Sequence, residues 1–223
     1  MVVTFEGCIT TIVLLAVTLM ATATLALAQQ AAYARTGPES AQSLAERSLD
    51  CLHRGEDAVN KDEKAAAYRE GLALAKRAVE ADDTNADAHF ASFANGGRLM
   101  LAEGVTANPF NLLKVNRELD RVLALNPNHV DGLAARGAIY RQLPSMLGGS
   151  LEKAADYLGR AVALDSDALG SRIELAEVYR DMGRPERGVP LLEQAMQVAE
   201  RKGKHRQLQE ARELLSQLQA AHK

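Results

Sequence analysis

Apolar side chains recur along the chain at the spacing of an amphipathic helix. In the stretch containing Ala154, Leu158 and Ala161, a small residue is followed four and seven positions later by further apolar residues. Positions i, i+4 and i+7 lie on one face of an α-helix. Three other stretches repeat the pattern, at Gly71, Ala75 and Ala78, at Val115, Leu119 and Val122, and at Gly188, Leu192 and Ala195. We predict four helices that each pack this face against a partner helix.

A candidate partner helix precedes three of these stretches, at residues 87–96, 130–141 and 169–181. The last two share a further pattern, in which Leu133, Gly137 and Tyr140 correspond to Arg172, Ala176 and Tyr179. Residues 40–52 and 62–81 complete a first pair. The sequence thus predicts about four helical hairpins.

With these residues the chain resembles the tetratricopeptide repeat (TPR) family, whose first helix carries Leu, Gly or Ala, and Tyr, and whose second carries a small residue, a large one and Ala. Only Arg172 departs from the apolar pattern in the last two repeats. The resemblance implies an all-α solenoid of helical hairpins. A further amphipathic stretch follows Gly203, with apolar residues at Leu208, Ala211, Leu214, Leu215 and Leu218. It is typical of the capping helix that such arrays need.

The repeats shorten along the chain. Equivalent positions Ala78, Val122, Ala161 and Ala195 are separated by 44, 39 and 34 residues, and only the last spacing is the usual TPR period. The excess lies between the two helices of a hairpin, so both insertions fall on the same edge of a solenoid. That edge is a candidate binding surface, although helix extensions with inert loops would explain the spacing equally well.

The N-terminal segment differs from the rest of the chain. Residues 7–34 carry no charge, and residues 9–28 are almost wholly apolar or Thr. Ala26 and Ala28 provide the small residues of a signal-peptidase site, which predicts cleavage after Ala28. Because the n-region has Glu6 and no Lys or Arg, and the apolar stretch could span a bilayer, a retained anchor over residues 8–28 is the alternative.

Composition excludes several classes of function. A net charge of −3, from 26 basic and 29 acidic residues, gives no footprint for nucleic acid. Cleavage would leave Cys51 as the sole cysteine, so no internal disulfide is expected. The five histidines are dispersed without metal-ligand spacing, and no catalytic constellation is visible. We therefore expect no enzyme activity, no metal and no cofactor, and we assign Gly148 and Gly149 to a turn that needs positive φ.

Binding residues are sought instead on the concave face and the inserted edge. Arg141 and Arg180 occupy equivalent positions at the end of their helices, and Arg98 lies one residue later in its own repeat. Such a ladder could accept carboxylates, although solvated surface arginine is the simpler interpretation. The candidate partner-binding residues are Arg98, Arg141, Glu177, Arg180, Leu143, Pro144, Met146 and Leu147.

The stretch 140–154, with Pro144 before Gly148 and Gly149, resembles the T-component proteins of tripartite ATP-independent periplasmic (TRAP) transporters. The resemblance implies a non-catalytic periplasmic protein that associates with a substrate-binding protein and can oligomerise. Many of those proteins are lipoproteins, whereas Cys8 here precedes the apolar run and has no lipobox.

These observations predict a signal peptide or anchor at 1–28, a linker at 29–39, a repeat domain at 40–203 and a capping helix at 204–223. The leading functional hypothesis is an exported adaptor that binds a protein or peptide partner in the cell envelope. The alternatives are a carrier of small organic acids in the groove of Arg98, Arg141 and Arg180, and a hydrolase of unfamiliar arrangement. Binding to a membrane is expected only through the N-terminal segment, and self-association stays open.

Overall fold

Helical hairpins build all of the chain that the computed structural model describes, which is residues 39–104 and 109–220. This part contains nine α-helices and no strand. The helices are α1 Ala41–Asp57, α2 Lys61–Ala81, α3 Ala86–Glu103, α4 Pro109–Leu125, α5 Val130–Gln142, α6 Leu151–Leu164, α7 Leu169–Asp181, α8 Pro185–Arg201 and α9 His205–Ala220. One short 3-10 helix, Ser145–Leu147, lies between α5 and α6.

Side-chain caps explain where most of the helices begin. An N-cap side chain accepts a hydrogen bond from a backbone N–H of the first turn, which would otherwise have no partner. This bond is made by Ser40, Asn60, Asn85, His129 and Ser150, at the starts of α1, α2, α3, α5 and α6. Helix α8 instead begins with Pro185, after Gly183 in the left-handed region at φ 70°.

The helices pair in sequence order as α1 with α2, α3 with α4, α5 with α6 and α7 with α8, and α9 packs against α8. This arrangement confirms the prediction of an all-α array of about four hairpins with a C-terminal capping helix. Residues 40–220 form one compact unit. The predicted signal peptide or anchor and the linker up to residue 38 lie outside the described residues, so the domain limits stay predictions. Among the described helices, none is long and apolar enough to cross a membrane.

The predicted helix faces form the core. Nine of the residues that define the pattern are completely buried, namely Ala75, Ala78, Leu119, Val122, Ala154, Leu158, Ala161, Leu192 and Ala195. Because a small residue sits at the point where two helices cross, the backbones approach closely and exclude water from the seam. Val115 is the exception, since its side chain is only half-buried and lines an open cleft.

The two insertions take different forms. In the first, α3 continues to Glu103 and α4 begins at Pro109, so most of the extra residues lengthen the helices. In the second, α5 ends at Gln142 and α6 begins only at Leu151, leaving an eight-residue connection. Only the second insertion is mainly a loop.

Candidate functional site

Backbone hydrogen bonds hold the connection between α5 and α6 in one shape. The amide of Leu147 donates to the carbonyl of Pro144 at 2.8 Å, and that of Gly149 donates to the same oxygen at 3.1 Å. The amide of Ser150 donates back to the carbonyl of Tyr140 at 2.9 Å. These three bonds hold the main chain of the turn, and so fix the positions from which its side chains project.

The two glycines of this turn are required for different reasons. Gly148 lies in the left-handed region at φ 92°, as predicted. Gly149 does not have positive φ, so that part of the prediction is wrong. Instead, a Cβ at Gly149 would lie 1.7 Å from the carbonyl oxygen of Leu143, which leaves no room for any side chain.

The same turn exposes apolar side chains. Met146 is 89% exposed and Leu147 is 66% exposed, Pro144 is exposed, and Leu143 is half-buried. Two further exposed aliphatic residues lie at the corresponding ends of their hairpins, Val59 between α1 and α2 and Leu101 near the end of α3. We call Val59, Leu101, Met146 and Leu147 the turn edge. Exposed aliphatic groups at equivalent turns of a repeat make these turns a candidate contact surface.

The predicted arginine ladder is already occupied by carboxylates of the same chain. Arg98 on α3 contacts Glu56 on α1 at 2.9 Å. Arg141 on α5 contacts Glu177 at 2.6 Å and Asp181 at 2.9 Å, both on α7.

Arg180 also contacts Asp181, at 2.9 Å. The structure thus brings Arg141, Glu177 and Arg180 together around Asp181, whereas Arg98 belongs to a separate ion pair. The repeat pattern does not identify Glu56 and Asp181, because their contacts with Arg98 and Arg141 join different helices.

A second group of charges lines a cleft of about 370 Å³ beside Arg141. Burial raises the pKa of Glu174 above its ordinary value, and Glu177 and Glu210 act in the same direction against Arg141. Burial alone would also raise the pKa of Asp181, but hydrogen bonds from Arg141 and Arg180 outweigh it and hold that pKa below its ordinary value. Glu174 and Asp181 on α7 therefore lie in environments that shift their pKa values in opposite directions.

The two buried histidines take part in helix contacts. His89 Nδ1 lies 2.7 Å from Glu118 on α4, and its Nε2 lies 3.0 Å from the carbonyl oxygen of Asp83. His129 Nδ1 accepts from the amide of Gly132, and its Nε2 lies 3.0 Å from Asp87. Within the described ranges, no three His, Cys, Asp or Glu side chains are grouped as a metal would require.

Comparison with known proteins assigns the chain to a family. The family model of the TRAP transporter T-component matches residues 16–222. The chain belongs to the TRAP transporter T-component family. The family implies an accessory role in transport, protein partners and association with the cell envelope. Among curated proteins, none matches this chain.

Solved structures agree on the fold. A thermophilic TPR protein of Thermus thermophilus is 19% identical, with a TM-score of 0.51 over 78% of this chain and 82% of that one. PilF of Pseudomonas aeruginosa is 17% identical, with a TM-score of 0.48 over 79% and 75% of the two chains. The first similarity confirms the TPR-like fold of the T-component chain and says nothing more about its function.

Proposed function

We propose that this T-component is a non-catalytic adaptor in the periplasm, which binds a substrate-binding protein of a transport system through its turn edge. Family membership supports the transport role and the protein partner. The observation that carries the choice of surface is the exposure of Met146 and Leu147 on a turn fixed by backbone hydrogen bonds.

The main chain of the turn is preorganised for binding by its backbone hydrogen bonds. A flexible loop would lose conformational entropy on binding, whereas a fixed turn has already lost it during folding. Burying two aliphatic side chains contributes about 1.5–3 kcal/mol each relative to leaving them exposed. Met is enriched in protein interfaces relative to the rest of the surface, so Met146 is the leading candidate anchor, with Leu147 beside it.

The test uses a substrate-binding protein of a TRAP transporter from the same organism, titrated calorimetrically into this protein. Changing both Met146→Asp and Leu147→Asp should weaken binding by about a hundredfold, since it removes two anchors and introduces two charges. Leu164→Asp is the matched control, because Leu164 is 47% exposed at the opposite end of its hairpin. Equal affinity of the double variant and the control would contradict the proposed surface.

An organic-acid ligand between Arg98, Arg141 and Arg180 receives less support. Each of these guanidinium groups contacts a carboxylate of the chain, so a ligand would have to displace an existing ion pair. A thermal-shift series with small dicarboxylates tests this function separately, and an unchanged midpoint across the series would remove it.

A further inference from the structure

A cleft of about 480 Å³ opens between α2, α3 and α4, and its lining includes no residue of the turn edge and none of Arg98, Arg141 and Arg180. Its apolar lining comes from Leu72 on α2, Leu99 and Met100 on α3, and Val115 on α4. All four side chains are half-buried, so the cleft is open to solvent along one side. Its volume lies within the range of small-molecule sites in proteins.

The cleft is deep because α3 has no side chain at Gly96. A Cβ there would lie 3.5 Å from Val115 Cγ2 and 3.7 Å from Leu72 Cδ1, which are ordinary contact distances. Any longer side chain at position 96 would extend into the space between α2 and α4. The glycine thus keeps the apolar floor open, although nothing in its backbone conformation requires it.

Three cations form the rim of the same cleft. Lys76, Lys114 and Arg117 are exposed lining residues, and none makes an ion pair or side-chain hydrogen bond within the described ranges. The two carboxylates of the lining are engaged elsewhere, Glu103 with Arg69 at 2.6 Å and Glu118 with His89 at 2.7 Å. The cleft therefore has three cations without an ion-pair partner in the described residues, next to an apolar floor.

A hydroxyl group adds a hydrogen-bond donor to the lining of the cleft. Ser92 lines the cleft, and its side chain makes no hydrogen bond within the part of the chain described. Its Oγ is accessible to solvent, so it can donate to a ligand in the cleft.

We propose that this cleft binds an aliphatic carboxylate. The alkyl chain lies on Leu72, Leu99 and Val115, and the carboxylate is held by the cationic rim. Ser92 donates a hydrogen bond to a carboxylate oxygen. This site is distinct from the turn edge, and it does not depend on the function proposed above.

Decanoate is the probe, titrated calorimetrically into the protein. It should bind, whereas decanol, which lacks the charge, and succinate, which lacks the chain, should bind at least about tenfold more weakly, a difference of about 1.4 kcal/mol. Succinate binding as tightly as decanoate would overturn the role of the apolar floor. Absence of decanoate binding at millimolar concentration would overturn the site itself.

Two variants locate the probe. Changing both Lys114→Glu and Arg117→Glu should weaken decanoate binding by about tenfold or more, through reversed charge at an exposed rim. The control reverses two exposed cations outside the cleft, Lys204→Glu and Arg206→Glu. An equal loss in both variants would show that only net charge matters and would overturn the assignment.

Gly96→Leu gives a second line of evidence, because the added side chain fills the floor without altering charge. It should abolish decanoate binding while circular dichroism shows an unchanged helical spectrum. Undiminished decanoate binding by the folded variant would place the ligand elsewhere. If this variant does not fold, the charge-reversal pair, which alters only exposed side chains, decides the outcome alone. Binding to the substrate-binding protein should persist in all of these variants, which separates a failure here from a failure at the turn edge.

Discussion

Gly71 in the first hairpin and Gly188 in the last occupy equivalent positions of the repeat but admit different neighbours. At Gly71 a Cβ would lie 2.2 Å from Asn95 Oδ1, whereas at Gly188 it would lie 2.8 Å from Leu218 Cδ1. Both glycines allow close approach of a neighbouring helix. In the first hairpin the residue that approaches is a buried amide, and in the last it is a leucine of the capping helix.

The amide belongs to a network that crosses three helices. Ser48 Oγ on α1 donates to the carbonyl of Gly71 at 2.7 Å, and Asn95 Nδ2 on α3 lies 3.0 Å from both Ser48 O and Ser48 Oγ. Ser48 and Asn95 are fully buried. The last hairpin instead packs Leu192, Ala195 and Leu218 in an apolar cluster. The repeat pattern thus determines where a glycine lets a neighbouring helix approach, but not whether the neighbour places a polar or an apolar side chain against that glycine.

Gly71→Ala is the change with the largest expected effect. Asn95 cannot move away, because its amide is hydrogen-bonded and buried, so we expect a loss of about 3 kcal/mol in the free energy of unfolding. Gly188→Ala should cost about 1 kcal/mol, since the end of a leucine side chain can shift. Chemical denaturation measures both.

A double-mutant cycle identifies the cause. Combining Gly71→Ala with Asn95→Ala should cost clearly less than the sum of the two single changes, because the alanine at 95 removes the clash. Additive losses would mean that Asn95 is not what makes position 71 intolerant.

Arg172→Met should have the next largest effect, in the stabilising direction. Arg172 on α7 is only 6% exposed, its Nε lies 3.4 Å from Gln194 Oε1, and its Nη1 has no partner among the described residues. Replacing a poorly paired buried charge by an apolar side chain of similar length should raise the free energy of unfolding by about 1 kcal/mol. Arg172→Lys, which keeps the charge, should give no gain. A loss of stability in Arg172→Met would contradict this account of the last hairpin.

The smallest expected effect is a pH dependence of the free energy of unfolding that arises from Glu174 and Asp181 on α7. The pKa of Glu174 in the folded protein is raised above its ordinary value of 4.5. The protonated side chain therefore contributes its full stability below pH 4.5, and this stability is lost as pH rises through the folded pKa. Glu174→Gln should therefore match the wild type near pH 3 and exceed it by under about 1 kcal/mol at pH 7. Denaturation at several pH values measures the difference.

Asp181→Asn is the paired control, with the opposite sign. Its pKa is held below the ordinary 3.8, so Asp181 stabilises the fold above that value and loses the contribution as pH falls through the folded pKa. The asparagine variant should be less stable than the wild type at pH 7 and approach it in acid. Parallel pH profiles for the two variants would refute the opposed environments described for these carboxylates.

Much of the fold could be predicted from local sequence signals. The period of apolar residues marked the core faces, and Ser150 and Pro185 marked helix starts. The candidate site was less predictable. Arg141 was identified from its position in the repeat, but its pairing with Asp181 depends on how α5 and α7 lie side by side. The cleft lined by Ser92 and Lys114 cannot be predicted from the sequence pattern of any single helix, because residues from three helices line it.

The sequence by itself determined the helices, their hairpin order and the buried seam of small residues, because these follow from interactions between residues a few positions apart. Only the tertiary structure decided that Asn95 packs against Gly71, that the arginines pair with carboxylates and that three cations line the cleft between α2, α3 and α4. These features join residues from separate helices, and their energies depend on distances and burial that exist only after the hairpins have packed.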